Sequence, residues 1–152
     1  MAERAIDFAA LPSHAGEELG VSSWFEITQP MVDRFADLTH DHNWIHVDPA
    51  RAARESPYRA PIAHGFLTLS LLSHLMHDAI RIEGGGFGIN VGFDRLRMTD
   101  GVPVGSRIRG RFKLAELDPF EGGYKIAWDV TIEREGAGKP ALIARWRVRL
   151  MR

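Results

Sequence analysis

The second half of the chain contains three long segments in which apolar and polar residues alternate. The segments are RIRGRFKL, YKIAWDVTI and LIARWRVRL, at residues 107–114, 124–132 and 142–150. Because successive side chains of a β-strand point to opposite faces of the sheet, each segment predicts a strand with one buried face. Glycine and proline residues mark turns between the segments, which favours consecutive antiparallel pairing. The chain must therefore supply another element that covers one apolar face of a sheet.

A single apolar helix is the predicted cover. Gly65 opens the run FLTLSLLSHLMHDAI at residues 66–80, and apolar residues occupy most of its helical circumference. This pattern is typical of a buried helix, which we expect to end at Glu83 and the glycines that follow it. The polar residues of the run form one narrow stripe and are Ser70, Ser73, His74 and His77. The stripe favours contact with a partner helix or trapped water, and a stripe that faces a functional site is the alternative.

The remaining pattern completes an α+β domain. A first strand is predicted between Leu19 and Thr28, and Pro30 stands at a natural first helical position before the helical spacing of residues 31–40. Residues 39–64 are rich in His, Asp, Asn and Pro and predict irregular chain with a helical turn at PARAAR. The sequence shows no internal repeat or linker, so we predict one domain over residues 1–152.

Composition excludes several functional classes. The chain has 152 residues, a formal net charge of -1 and no cysteine. A nearly neutral chain does not favour nucleic acid as a partner, and the lack of cysteine excludes a disulfide framework and a thiol nucleophile. The sequence has no long apolar run, so we expect a soluble, untargeted, cytoplasmic protein without a membrane partner. The arginine-rich faces of the predicted strands favour a solvated outer sheet face over a phosphate site.

The densest group of chemically active side chains lies between Thr39 and Pro49. Asp41 and His46 could hold and exchange protons with one water if the chain turns between them, and Asn43 suits such a turn. A metal site built from His40, Asp41, His42 and His46 is one alternative, although it needs a further ligand from elsewhere in the chain. The other alternative is structural, with Asp41 and Asn43 capping a turn and the histidines on the surface.

The second candidate feature is the loop-to-helix junction at Ile62-Ala63-His64-Gly65-Phe66. Backbone N–H groups at a helix start have no intrahelical acceptor and can bind a developing oxyanion. Gly65 would let a substrate carbonyl approach the backbone closely. An ordinary helix start with a spacer glycine is the alternative. These residues alone leave the choice open.

Together, the two segments resemble the MaoC-like dehydratase family, which includes the R-specific enoyl-CoA hydratases. The family's hydratase motif runs from an aromatic residue through Gly-Asp-x-Asn-Pro-aliphatic-His to a small residue. The matching positions here are, in order, Phe35, Thr39, Asp41, Asn43, Ile45, His46 and Ala52. PIAHGFLTLSLLS and the region from residue 88 to 114 resemble the family's helix start and following strands. The resemblance covers the chain from about residue 20 onward.

The resemblance implies a hot dog fold, in which a bent antiparallel sheet wraps a central helix, commonly in a homodimer. It implies cofactor-independent hydration of a trans-2-enoyl-CoA to an (R)-3-hydroxyacyl-CoA. Asp41 and His46 would activate water, Asn43 would orient them, and the Gly65 N–H would receive the thioester oxygen. Ser73, His64, Trp44 and His40 are the expected substrate-binding residues, and Ser73 would also support the catalytic loop. A hot dog thioesterase and a non-catalytic acyl-CoA-binding domain are the alternative functions.

The sequence departs from the family pattern at two positions beside the expected catalytic pair. His40 replaces the glycine before the aspartate, and Trp44 replaces the proline after the asparagine. Histidine tolerates unusual backbone angles better than most residues. Trp44 would either shape an acyl pocket or pack against the protein. We therefore expect substrate choice to depend on these two residues.

Overall fold

The computed structural model describes residues 4–152, so the first three residues of the predicted domain lie outside it. The strands are β1 Arg4–Asp7, β2 Glu18–Val21, β3 Phe25–Glu26, β4 Ile80–Glu83, β5 Gly88–Met98, β6 Arg107–Phe120, β7 Gly123–Arg134 and β8 Leu142–Met151. The α-helices are α1 Gln29–Thr39, α2 Trp44–Val47, α3 Pro49–Glu55, α4 Gly65–Ser70 and α5 Leu72–Ala79. A 3₁₀ helix covers Phe8–His14. The extent of the domain as a single unit stays a prediction.

The alternating segments form the centre of an antiparallel sheet, as predicted. The strands follow the order β2, β6, β7, β8, β5, and β3 also pairs with β6. The apolar positions of β6, β7 and β8 lie on one buried face, where Phe112, Trp128 and Trp146 are among the larger side chains. One edge of the sheet is β5, which pairs with β8. This edge carries the exposed apolar side chains of Ile89 and Val91.

The apolar helix covers this face but differs from the prediction in length and burial. It is divided into α4 and α5 at Leu71, and it ends at Ala79 rather than at Glu83. Ile80 and Ile82 instead continue as β4, which pairs in parallel with β1. β-branched residues favour extended chain, and this pairing satisfies their backbone groups. The polar stripe is exposed, and Phe66 is also 69% exposed, so the helix is buried on one side in the single chain.

The outer face of the sheet carries the arginines, and acidic side chains pair with several of them. Arg107 donates two hydrogen bonds of 2.6 Å to Glu135, and Arg145 donates two of 2.8 Å to Asp129. The Arg145 guanidinium keeps the pKa of Asp129 below its ordinary value, chiefly by hydrogen bonding. These pairs agree with the prediction of a solvated outer face. Within residues 4–152, every helix is too short or too polar to span a lipid bilayer.

Candidate active site

Two segments distant in sequence are joined side by side at the start of α4. The Ile62 N–H donates to the Ile45 carbonyl at 3.0 Å, and the His46 Nδ1–H donates to the Ile62 carbonyl at 2.7 Å. The His64 Nε2–H donates to the Asp41 carbonyl at 2.9 Å. The loop before α4 therefore fixes the segment that carries Asp41 and His46.

The hydrogen bonds define which nitrogen of His46 can take a proton. A carbonyl oxygen accepts but cannot donate, so Nδ1 carries the hydrogen and Nε2 keeps a lone pair. The side chain is half-buried, and this burial is the main cause that lowers the pKa of His46 below its ordinary value. Gln29, on α1, donates to the His46 carbonyl at 2.8 Å and anchors the backbone. His46 is therefore a neutral base near pH 7.

Asp41, His46 and His64 form one compact cluster. One ligand atom from each residue lies within 4.8 Å of the others. Asp41 has a side chain that is 56% exposed, whereas the side chain of His64 is 3% exposed. The rings of His46 and His64 stack with their centroids 3.8 Å apart. The structure thus brings the predicted Asp-His pair together and adds a buried second imidazole.

Local backbone geometry explains the order of residues around the pair. His40 ends α1 in the left-handed conformation, with φ of 58° and ψ of 24°, at the position where the resembling family has glycine. Asn43 caps α2 by accepting a hydrogen bond from the Ile45 N–H at 3.3 Å. Trp44 is the first residue of α2, where proline is favoured. Asn43 thus begins the short helix that carries His46, and its capping is compatible with the catalytic role of the pair, which stays a prediction.

A cavity of about 290 Å³ lies beside the cluster. His46, Gly65 and Met98 are among the residues that line it, together with buried Thr68. A side chain at Gly65 would overlap the sulfur of Met98, so the absence of a Cβ lets Met98 pack directly against this junction. The cavity is therefore lined both by His46 and by Gly65, the first residue of α4.

The ring geometry favours a proton-handling cluster over a metal centre. The metal interpretation needed one ligand from outside the loop, and His64 stands in that position. However, imidazole lone pairs lie in the ring planes, and these planes are stacked only 26° from parallel. A tetrahedral ion would need lone pairs that converge from well-separated directions at about 2 Å. The stacked arrangement lacks that convergence.

The other predicted substrate-binding residues lie elsewhere in the single chain. His40 is exposed at the end of α1, and Trp44 packs under Arg51 with the guanidinium 4.3 Å from its ring. Ser73 lines a second cavity of about 630 Å³, which lies between α5 and the inner sheet face. None of the three lines the cavity beside His46 among the residues described. Their proposed contact with substrate is therefore not visible in one protomer.

Sequence reasoning missed residues that complete the site. Met98 reaches Gly65 from the end of β5, and Gln29 holds His46 from α1. Asp100 lines the cavity and accepts hydrogen bonds from the Gly101 N–H at 3.0 Å and Arg134 at 3.1 Å. Apart from the bond between the neighbours Asp100 and Gly101, these contacts depend on tertiary packing. The sequence carries no local signal for them.

Comparison with known proteins now identifies the family. A family model described as a MaoC like domain matches residues 10–133. The chain belongs to the MaoC-like domain family. Its helix packed on an antiparallel sheet is the hot dog fold that the resemblance implied, and that prediction is confirmed.

Three relatives show how closely the family is matched. Nodulation protein N of Rhizobium leguminosarum bv. viciae is 47% identical over 144 residues, covering 93% of this chain and 89% of that protein. The 3-hydroxyacyl-thioester dehydratase Z of Mycobacterium tuberculosis is 44% identical over 137 residues, covering 90% of each chain. The solved (R)-hydratase from A. caviae involved in PHA biosynthesis gives a TM-score of 0.71 at 26% identity, covering 88% of this chain and 96% of that one. The MaoC-like family thus supports hydratase or dehydratase activity for the chain.

Proposed function

We propose that the chain is a hydro-lyase that reversibly hydrates a trans-2-enoyl-CoA to an (R)-3-hydroxyacyl-CoA without a cofactor. The observation that carries the proposal is the approach of Asp41 to His46 beside the helix start of Gly65. The names of the dehydratase and (R)-hydratase relatives support the reaction class and the R product. The identity of the acyl group and of its carrier are part of the proposal.

The separation within the pair suits one bound water. Two groups that each accept a hydrogen bond of about 2.8 Å from the same water can lie up to about 5 Å apart. One carboxylate oxygen of Asp41 and one ring nitrogen of His46 lie within 4.8 Å of each other. Because His46 Nδ1 is engaged by Ile62, its Nε2 is the nitrogen that is free to take a proton from that water. The pair thereby makes the water oxygen nucleophilic.

Addition of this water requires stabilisation of negative charge on the thioester oxygen. The water oxygen bonds to C3, and the electrons of the C2=C3 double bond move toward the carbonyl to give an enolate. The Gly65 N–H would donate to that oxygen. The proton taken from water by the Asp41–His46 pair, or its equivalent, is then delivered to C2. One C–O and one C–H bond form, and the reverse sequence expels water.

The acyl chain and the dimer form the second part of the proposal. In a symmetric homodimer, two β5 edges would pair antiparallel, which would cover exposed Ile89 and Val91. The small cavity adjoins the end of β5 at Met98, and the large cavity adjoins its start at Gly88. Antiparallel pairing would therefore bring the large cavity of one subunit toward the small cavity of its partner. We propose that the large cavity receives the acyl chain.

The cytoplasmic location remains a prediction from the sequence.

Hydration of crotonyl-CoA by the purified protein tests the reaction. We expect loss of the conjugated enoyl absorbance and formation of 3-hydroxybutyryl-CoA, with the R configuration confirmed by chiral chromatography. Asp41→Asn and His46→Gln should each lower kcat by at least about 100-fold, because each removes one of the groups that exchanges protons with the water. Circular dichroism would confirm that both variants are folded.

The chain offers a matched control for these variants. His42 pairs with Asp37 at 2.9 Å, and both side chains are exposed. His42→Gln should therefore retain wild-type turnover. Full activity in Asp41→Asn or His46→Gln would remove that residue from the mechanism. Release of free CoA without a hydroxyacyl product would show a thioesterase, and tight binding of enoyl-CoA without any turnover would show a binding protein.

A further inference from the structure

His64 is the buried titratable group that the proposed reaction does not use. It lies in the loop before α4, and its side chain is 3% exposed. The Asp41 carbonyl can only accept a hydrogen bond, so Nε2 of His64 carries the hydrogen at this 2.9 Å contact. In the neutral ring, Nδ1 is then a lone pair, and among residues 4–152 nothing donates to it. A buried ring nitrogen without a hydrogen-bond partner lowers the stability of the folded protein. The other contacts of this imidazole must therefore offset that cost.

The remaining contacts of His64 reach both members of the catalytic pair. Its Nε2–H fixes the backbone of Asp41, while its ring face lies against the ring of His46 at 3.8 Å. On the side of α1, Phe35 packs against the same ring with centroids 5.0 Å apart. Asp41 and His46 are otherwise joined through a loop and a short helix, so His64 is a direct physical link between them.

We propose that His64 is a positioning residue, which holds the Asp41 carboxylate and the His46 ring in register through its Nε2–H and its ring face. This inference rests on the proposed hydratase function and deepens it. It replaces the expectation that His64 binds substrate, because a side chain that is 3% exposed and bonded to Asp41 presents little surface to a ligand. Asp41 and His64 are the charged or titratable groups that bear on His46 in the cluster.

His64 also bears on the protonation of His46. Burial lowers the pKa of His46 most, and a positive charge on the stacked His64 ring would lower that pKa further. The Asp41 carboxylate acts in the opposite direction and raises it. A variant that keeps the hydrogen bond to Asp41 but lacks a titratable ring would therefore separate the two roles of His64.

His64→Gln and His64→Phe provide that separation. The amide nitrogen of glutamine can reach the position of Nε2 and donate to the Asp41 carbonyl, but it cannot become positively charged. Phenylalanine keeps an aromatic ring against His46 and loses the donor. We expect kcat within about threefold of wild type for His64→Gln, and a fall of about 10- to 100-fold for His64→Phe, because a displaced catalytic group costs that much. Apolar phenylalanine also fits a buried site, so folding of this variant is expected.

The deciding measurement is the titration of His46 by ¹⁵N NMR in the absence of substrate, with His46→Gln used to assign the signal. In wild type and in His64→Gln, His46 should keep its hydrogen on Nδ1. The pKa of His46 should be higher in His64→Gln than in wild type, and the acid limb of kcat/KM should move with it. His42→Gln, which alters an exposed histidine, should change neither quantity.

Two results would overturn the positioning role. One is equal loss of activity in both His64 variants with an unchanged His46 titration, which would indicate packing alone. The other is full activity and an unchanged titration in both. If wild-type protein does not hydrate any enoyl thioester, the proposed function fails, but the NMR titration still tests whether His64 holds and influences His46.

Discussion

The two cavities near the central helix differ in what surrounds them. The small cavity, of about 290 Å³, lies at the helix start and is lined by the loop segments that carry His46 and Gly65. The large cavity, of about 630 Å³, lies at the other end of the helix against Trp128 and Trp146 of the sheet. In the part of the chain that the structure describes, the two cavities have no lining residue in common.

This difference suggests separate roles, with the reacting groups at the small cavity and space for the acyl chain in the large one. Loops can place a few polar groups closely, and functional groups are often found on loops held by a rigid scaffold. A helix packed on a sheet instead encloses a larger space, whose size and shape can discriminate chain length. Substitutions at the small cavity should therefore affect all substrates equally, whereas substitutions at the large cavity should depend on acyl length.

The largest effect is expected at Gly65, in the small cavity. Gly65→Ala should lower kcat/KM by about 100-fold, as loss of an oxyanion donor does, because the methyl group would obstruct the carbonyl beside the Gly65 N–H. The same methyl group would overlap Met98, but this side chain is 44% exposed and flexible enough to move. Steady-state kinetics with crotonyl-CoA and a longer enoyl-CoA should show the same loss for both.

The double variant Gly65→Ala/Met98→Ala distinguishes obstruction of the substrate from the clash with Met98. Removing the Met98 side chain relieves the overlap and leaves the methyl group at position 65. Activity that stays low in the double variant supports the oxyanion role. Recovery to the level of Met98→Ala alone would show that Gly65 serves only to pack against Met98.

A smaller, selective effect is expected at Met76, which lines the large cavity. Met76→Trp should reduce the cavity and lower kcat/KM for a longer enoyl-CoA by about fourfold for each methylene excluded, since one buried methylene contributes about 0.8 kcal/mol. Crotonyl-CoA should be hydrated at close to the wild-type rate because its chain is short. A panel of enoyl-CoA substrates of increasing length measures this dependence.

Met76→Ala is the matched control at the same position. It enlarges the cavity, so the preference for longer chains should be kept or increased. If Met76→Trp lowers turnover of short and long substrates by the same factor, the large cavity does not hold the acyl chain. The distinction between the two cavities would then be structural only.

Local patterns in the sequence predicted the parts of the fold and site that depend on them. Alternation gave β6, β7 and β8, and the family motif predicted that Asp41 and His46 would meet. The glycine of that motif also indicated unusual backbone at position 40, and His40 is left-handed there. Each of these features is carried by a short stretch of neighbouring residues, so a single sequence can reveal it.

Features that depend on tertiary contacts were not predictable in this way. Ile80 fits a helical pattern, but β1 pairs with the segment as a strand. His64 is 23 residues from Asp41, and only the packed loop shows their hydrogen bond. Met98 is the last residue of β5, and its position over Gly65 follows from where that strand ends. Period and motif order describe short stretches of chain and do not specify such contacts.

The smallest effect concerns pH and stability, and it should arise in the small cavity. The folded state lowers the pKa of His46, chiefly by burial, so the folded protein binds fewer protons than the unfolded chain just below the ordinary histidine value of about 6.5. The free energy of unfolding should therefore fall as pH decreases through about 6.5 toward the lower pKa of the folded state. Asp94 and Asp129 also have lowered pKa values, each mainly through an arginine hydrogen bond, and their stabilising contribution is lost only in more acidic solution.

Urea unfolding between about pH 5 and 8 would measure the effect on the free energy of unfolding. In this interval histidines titrate while the aspartates stay ionised. His46→Gln should show a weaker dependence on pH than wild type over this interval, and His42→Gln should not. An identical pH dependence in His46→Gln and wild type would show that burial of His46 in the small cavity does not affect stability.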